Sequence, residues 1–134
     1  MLKPVVLDAS VAAGWLLPDE QAPLELMKMM AETTAFVPAI FRTEVCDLMN
    51  MAVRRSRIDL AFAVAQMDAL GSVSLQVAAE LGADIVLKLA VKHSLTAYDA
   101  TYLALALDKA ATLATRDMTL RGAAVAEGLE TTTG

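Results

Sequence analysis

Four carboxylates stand out as the side chains whose spacing points to chemistry: Asp8, Glu44, Asp99 and Asp117. Asp8 closes the apolar run Pro4-Val5-Val6-Leu7, and Asp117 follows the strand-like segment from Thr112 to Thr115. Asp99 opens an apolar helix within Thr96-Ala97-Tyr98-Asp99, and Glu44 lies on the flank of a helical face that begins after Phe36-Val37-Pro38. Anionic groups gathered at one place raise each other's pKa unless cations sit between them. Hard divalent ions, Mg²⁺ or Mn²⁺, suit an all-oxygen donor set. The reaction that uses such a cluster is in-line hydrolysis of a phosphodiester, with water as the nucleophile and no side-chain nucleophile required.

Each acid also has a plainer reading. Thr96-x-x-Asp99 is an acidic variant of the capping box, Asp8 and Asp117 can start the helices that follow them, and Glu44 can be a solvated helix residue. The joint case rests on topology. In an open parallel sheet the loops and helix starts gather outside the carboxyl ends of the strands, and ligands bind there.

The elements that must position these groups are legible as an alternation of strand and helix. A strand over residues 4–8 leads to a helix ending near Pro18, and Leu24, Met27, Met30 and Ala31 recur at helical spacing within residues 21–32. A second strand at Phe36-Val37 precedes a long helix over residues 39–57, whose apolar face is Phe41, Val45, Leu48, Met49 and Ala52. Asp59 caps a helix through Leu70, a strand is expected over Val73–Leu75, and residues 77–93 read as a further helical stretch. The nearly all-apolar helix Ala100 to Leu107 must be covered on more than one side, and a last helix runs from Asp117 to about Glu127. Such alternation predicts one α/β domain over residues 1–134, with a parallel sheet covered on both faces.

Composition narrows the function classes. The chain of 134 residues is 57% hydrophobic but only 4% aromatic, so its core must be built from Ala, Leu, Val and Met. The longest stretch without a charged residue, Ala69 to Ala79, is too short to span a membrane, which needs roughly 18 apolar residues. Nothing at the N-terminus reads as a secretory signal, so the expected location is the cytoplasm. One cysteine, Cys46, and one histidine, His93, cannot build a zinc site or an internal disulfide. A net charge of −5 argues against broad binding to phosphate backbones, so a nucleic-acid substrate requires metal ions or a local basic patch.

Four segments carry a family resemblance: Val5-Val6-Leu7-Asp8-Ala9-Ser10; Val37-Pro38-Ala39 leading to Glu44-Val45; Tyr98-Asp99-Ala100-Thr101-Tyr102-Leu103-Ala104-Leu105-Ala106; and Leu113-Ala114-Thr115-Arg116-Asp117. In this order they resemble the motifs of PIN-domain ribonucleases, in particular the VapC-type toxins of bacterial toxin–antitoxin pairs. The resemblance implies a three-layer α/β/α sandwich with a short central parallel sheet. It implies Asp8, Glu44, Asp99 and Asp117 as catalytic metal ligands, with Ser10 and Thr115 as supporting polar groups, and Mg²⁺ or Mn²⁺ as cofactor. It further implies an RNA substrate, a small cognate antitoxin and a homodimer. Many relatives carry Asn where this chain has Asp47, which adds negative charge beside the cluster if it points inward.

Arg42, Arg55 and Arg116 are candidate RNA contacts, although Arg42 and Arg116 are equally ion-pair partners of the acids beside them and Arg55, at a basic helix end, equally complements the helix dipole or faces solvent. Cys46 reads as core filler and His93 as a helix-end residue. The eight methionines suit irregular core gaps or a groove for a partner helix. Competing readings are a PIN nuclease in RNA processing and a PIN-fold binding module without catalysis. A phosphoacceptor receiver domain is disfavoured, because it resembles a different pattern with an acidic pair at the first strand and a lysine late in the sheet.

Overall fold

The computed structural model describes residues 2–133. Five strands form an all-parallel sheet in the order β3-β2-β1-β4-β5: β1 (Val5–Leu7), β2 (Ala35–Val37), β3 (Gln76–Val77), β4 (Thr112–Ala114) and β5 (Thr131–Thr132). β1 is central and wholly buried, as its uninterrupted Val-Val-Leu run requires of a strand covered on both faces. It pairs with β4 in the register Val6↔Leu113 and Leu7↔Ala114, which sets Asp8 beside Thr115 one step beyond the last pair.

Among the described residues seven helices flank this sheet: α1 (Ala9–Leu16), α2 (Leu24–Glu32), α3 (Phe41–Arg54), α4 (Leu60–Leu70), α5 (Ala83–His93), α6 (Ala97–Lys109) and α7 (Met118–Ala126). The architecture is the expected α/β sandwich. α6 packs on β1 and β4 and also against α5 and α7, so Ala100 and residues 102–106 are all buried. The face of α3 anticipated from its spacing is turned inward, with Phe41, Val45, Met49 and Ala52 buried and Leu48 partly so. Asp59 caps α4 through a 2.8 Å bond accepted from the Phe62 amide.

The structure departs from the local reading at four places. The strand expected at Val73–Leu75 lies at Gln76–Val77, where pairing with β2 is prolonged by a bond from the Ala78 amide to the Val37 carbonyl. The helix expected from Val77 begins only at Ala83, because residues 76–78 are committed to that edge pairing and Gly82 stands at the N-cap. β5 was not anticipated: Thr131–Thr132 has no apolar pattern, and only its pairing with Leu113 and Ala114 makes it a strand. Cys46, expected in the core, is exposed.

The strand order decides where a site can form. Chain connections leave β1 toward β2 and β3 on one side, then return to β4 and β5 on the other. The crevice outside the carboxyl ends of β1 and β4 is therefore the topological switch point at which open α/β sheets bind ligands.

Gly14 in α1 shows how closely the turns around this edge are packed. A Cβ at that position would lie 2.6 Å from both the Arg116 Nη2 atom and the Gln21 carbonyl oxygen, and 2.9 Å from Pro23 Cδ. Glycine inside a helix normally costs about 1 kcal/mol relative to alanine. Here the sign is expected to invert: Gly14→Ala should destabilise the protein by about 1–3 kcal/mol, as overpacking does, measured by urea unfolding.

Candidate active site

Asp8, Glu44, Asp99 and Asp117 line one cleft of ≈ 540 Å³ together with Ser10, Thr43, Asp47, Leu48, Tyr98 and Ala9. Four distant segments deliver them. Asp8 leaves β1, Glu44 comes from the first turn of α3, Asp99 from the first turn of α6, and Asp117 from the turn after β4.

Asp8 is the anchor. It is only 6% exposed and stands at the N-cap position of α1, yet its carboxylate caps nothing. Its Oδ2 instead accepts hydrogen bonds from Ser10 Oγ and Thr115 Oγ1, each at 2.7 Å. A buried carboxylate needs such partners, and bonds to a charged group are each worth about 1.5–3 kcal/mol. The two hydroxyls also accept: Ser10 Oγ from the Arg116 amide and Thr115 Oγ1 from the Asp117 amide, both at 3.0 Å. The turn that carries Asp117 is thus tied directly to Asp8.

The capping roles read from the sequence coexist with placement in the cleft. Thr96 caps α6 by accepting from the Asp99 amide at 3.1 Å, and Asp117 Oδ1 caps α7 by accepting from the Leu120 amide at 2.9 Å. Tyr102 was not identified from the sequence as part of the site. Its ring is fully buried, and its hydroxyl donates to Glu44 Oε1 at 2.6 Å. The signal was present, because Tyr102 lies three residues after Asp99 on the same helix and a buried phenol must find a partner.

The electrostatics are those of a crowded anionic site. Burial raises the Glu44 carboxyl, the Tyr102 hydroxyl partly offsets that, and repulsion from Asp8, Asp99 and Asp47 raises it further. Burial likewise raises Asp99, followed by repulsion from Asp117 and Asp8, with Thr96 acting in the opposite sense. The Tyr102 phenol is driven far upward, chiefly by burial and then by Glu44, so it remains a proton donor. Asp47 is exposed and lines the same cleft, so its charge joins the cluster.

All-oxygen donors fit a hard divalent cation, but among the described residues no three of the acids are arranged to hold an ion as they stand. The two observations are compatible, because Mg²⁺ keeps several of its waters and commonly takes only one or two protein carboxylates.

None of Arg42, Arg55 and Arg116 lines the cleft. Arg42 is exposed beside Thr43, and Arg55 is exposed at the far end of α3. The Arg116 guanidinium turns to the α1–α2 loop, donating to the Gln21 carbonyl at 2.7 Å with Glu20 at 3.7 Å. His93 ends α5 and pairs with Glu127 at 2.6 Å.

With this geometry in view, comparison with known proteins decides the family. The PIN-domain family model matches residues 5–125. The chain belongs to the PIN-domain family. No curated protein matches it in sequence comparison. Solved structures share the fold at low identity. PAE2754 from Pyrobaculum aerophilum is 22% identical, with a TM-score of 0.76 over 98% of this chain and 90% of that one. VapBC2 from Rickettsia felis, bound to a DNA fragment from its promoter, is 12% identical, with a TM-score of 0.70 over 96% and 97%. VapC20 of Mycobacterium tuberculosis, a toxin that cleaves the sarcin–ricin loop, is 19% identical, with a TM-score of 0.62 over 89% and 94%. In this PIN domain both motif acids with displaced titration, Glu44 and Asp99, face the cleft.

A raised carboxyl favours the fold while protonated. The metal-free protein should therefore lose stability as pH rises from the ordinary carboxylate range through the raised values of Glu44 and Asp99. Asp99→Asn is expected to flatten that decline and to raise the neutral-pH melting temperature in EDTA, checked by thermal denaturation across pH. Tyr102→Phe, which removes the donor that holds Glu44 down, should move the Glu44 carboxyl higher still, read by carboxyl-carbon NMR titration.

Proposed function

We propose that this PIN domain is a Mg²⁺- or Mn²⁺-dependent endoribonuclease, the toxin component of a toxin–antitoxin pair. The observation that carries this reading is the gathering of Asp8, Glu44, Asp99 and Asp117 in one cleft at the switch point between β1 and β4. Bound to these carboxylates, the cation supplies Lewis acidity and charge neutralisation for phosphodiester hydrolysis. Asp8, oriented by Ser10 and Thr115, is the most rigid ligand, and Glu44 is oriented by Tyr102. The Ser10 and Thr115 hydroxyls are engaged with Asp8, so the attacking group is water rather than a side chain. Asp99 and Asp117 complete the acidic set from the two helix starts.

The antitoxin reading is supported by the toxin–antitoxin complexes among proteins of this fold, and by an apolar recess lined by Trp15, Leu16, Met27, Met30, Leu70 and Val73. Exposed Ile85, Leu87 and Val91 on α5 offer a surface that a second copy would cover in a homodimer. The expected place of action is the cytoplasm; among the described residues no helix is long and apolar enough to cross a membrane.

Purified protein should cleave RNA in Mg²⁺ or Mn²⁺ and stop on addition of EDTA. Asp8→Asn and Asp99→Asn should each lose roughly 100-fold or more in cleavage rate, at or beyond the upper end of losses seen when mere supporting groups of a metal site are removed. Full activity in both variants would overturn the assignment.

A further inference from the structure

Tyr98 is the most exposed of the six aromatic residues, 62% accessible, although it stands in the first turn of α6 beside Asp99 and lines the carboxylate cleft. Among the described residues no hydrogen bond or ring contact holds its side chain, whereas Tyr102, one turn further on, is fully buried and bonded to Glu44. Local structure therefore gives no reason for a ring at this position. The first turn of α6 is already capped by Thr96, and the core is closed by Ala100, Tyr102 and Leu103.

A substrate problem supplies the reason. The cleft gathers five acids, Asp47 included, in a chain of net charge −5, and among the described residues no basic side chain lines it. A polyanion gains little here from phosphate contacts alone, since affinity of that kind scales with the number of lysines and arginines engaged. A flat, uncharged ring can bind a nucleobase without regard to this repulsion, and stacking on an aromatic side chain tolerates any base. Leu48 lines the same cleft and adds apolar surface.

We infer that Tyr98 is a base-stacking platform that seats an unpaired nucleobase of the RNA next to the carboxylate cluster. The inference rests on the ribonuclease reading and adds to it a substrate contact.

The test measures binding of a short fluorescein-labelled single-stranded RNA by anisotropy, with Ca²⁺ as the added ion, for the wild type and for Tyr98→Phe, Tyr98→Leu and Tyr98→Ala. Circular dichroism melts check that each variant folds. Tyr98→Ala is expected to weaken binding roughly 5- to 150-fold, the usual worth of one stacked base. Tyr98→Phe should stay within about twofold, and Tyr98→Leu should fall close to the alanine variant. An RNA series with single abasic positions should contain one site at which the wild type and Tyr98→Ala bind equally. Equal affinity of wild type and Tyr98→Ala overturns the inference, as does leucine matching phenylalanine. Loss of self-association in Tyr98→Ala with RNA affinity intact overturns it too. Cleavage of the same RNA in Mg²⁺ is scored separately: a wild type that binds through Tyr98 but never cuts refutes the nuclease reading and leaves the stacking contact standing.

Discussion

A carboxylate that is almost out of water at the end of the central strand is the constraint around which the rest of the site is arranged. Asp8 cannot remain there as an anion unless its lost hydration is replaced, and the replacement comes from two hydroxyls, Ser10 and Thr115. Those hydroxyls reach it only because β1 and β4 are paired in a register that sets Thr115 beside Asp8. Having donated to the carboxylate, each accepts from a backbone amide of the β4–α7 turn, so one buried charge organises two strand ends and the start of two helices.

The remaining acids are held less tightly, and their charges show it. Glu44 and Asp99 are partly buried, raised by desolvation and pushed further by one another's neighbours. Tyr102 moderates this by giving Glu44 a buried donor from α6. Carboxyls raised in this way cost the fold stability at neutral pH, a cost that the cation of the proposed function would offset. Proteins commonly carry strained, destabilised sites where activity depends on them.

Two cationic side chains, Arg57 and Arg116, are spent on structure rather than on the cleft. Arg57 binds Asp19 with bonds of 2.6 and 2.9 Å and Arg116 reaches Gln21, so the α1–α2 loop is tied down from the α3–α4 turn and from the site's own β4–α7 turn. Gly14 leaves room for that second tie. Exposed pairs of this kind add little stability, but they fix the course of a loop, residues 17–23, that holds prolines near both ends, Pro18 and Pro23.

The amino-acid order alone determined the alternation of strand and helix, the buried character of β1 and α6, the caps at Asp59 and Thr96, and the placement of Asp8, Asp99 and Asp117 at strand ends and helix starts, because each of these depends on residue type and local spacing. The β3 and β5 edges escaped it, since two-residue strands such as Gln76–Val77 and Thr131–Thr132 exist only through the neighbour they pair with. The same limit applied to partnerships. That Thr115 would bond Asp8, that Tyr102 would bond Glu44, that Arg116 would turn away from the cleft and that Tyr98 would stand open at its edge were decided by packing between segments dozens of residues apart, where no local pattern reaches.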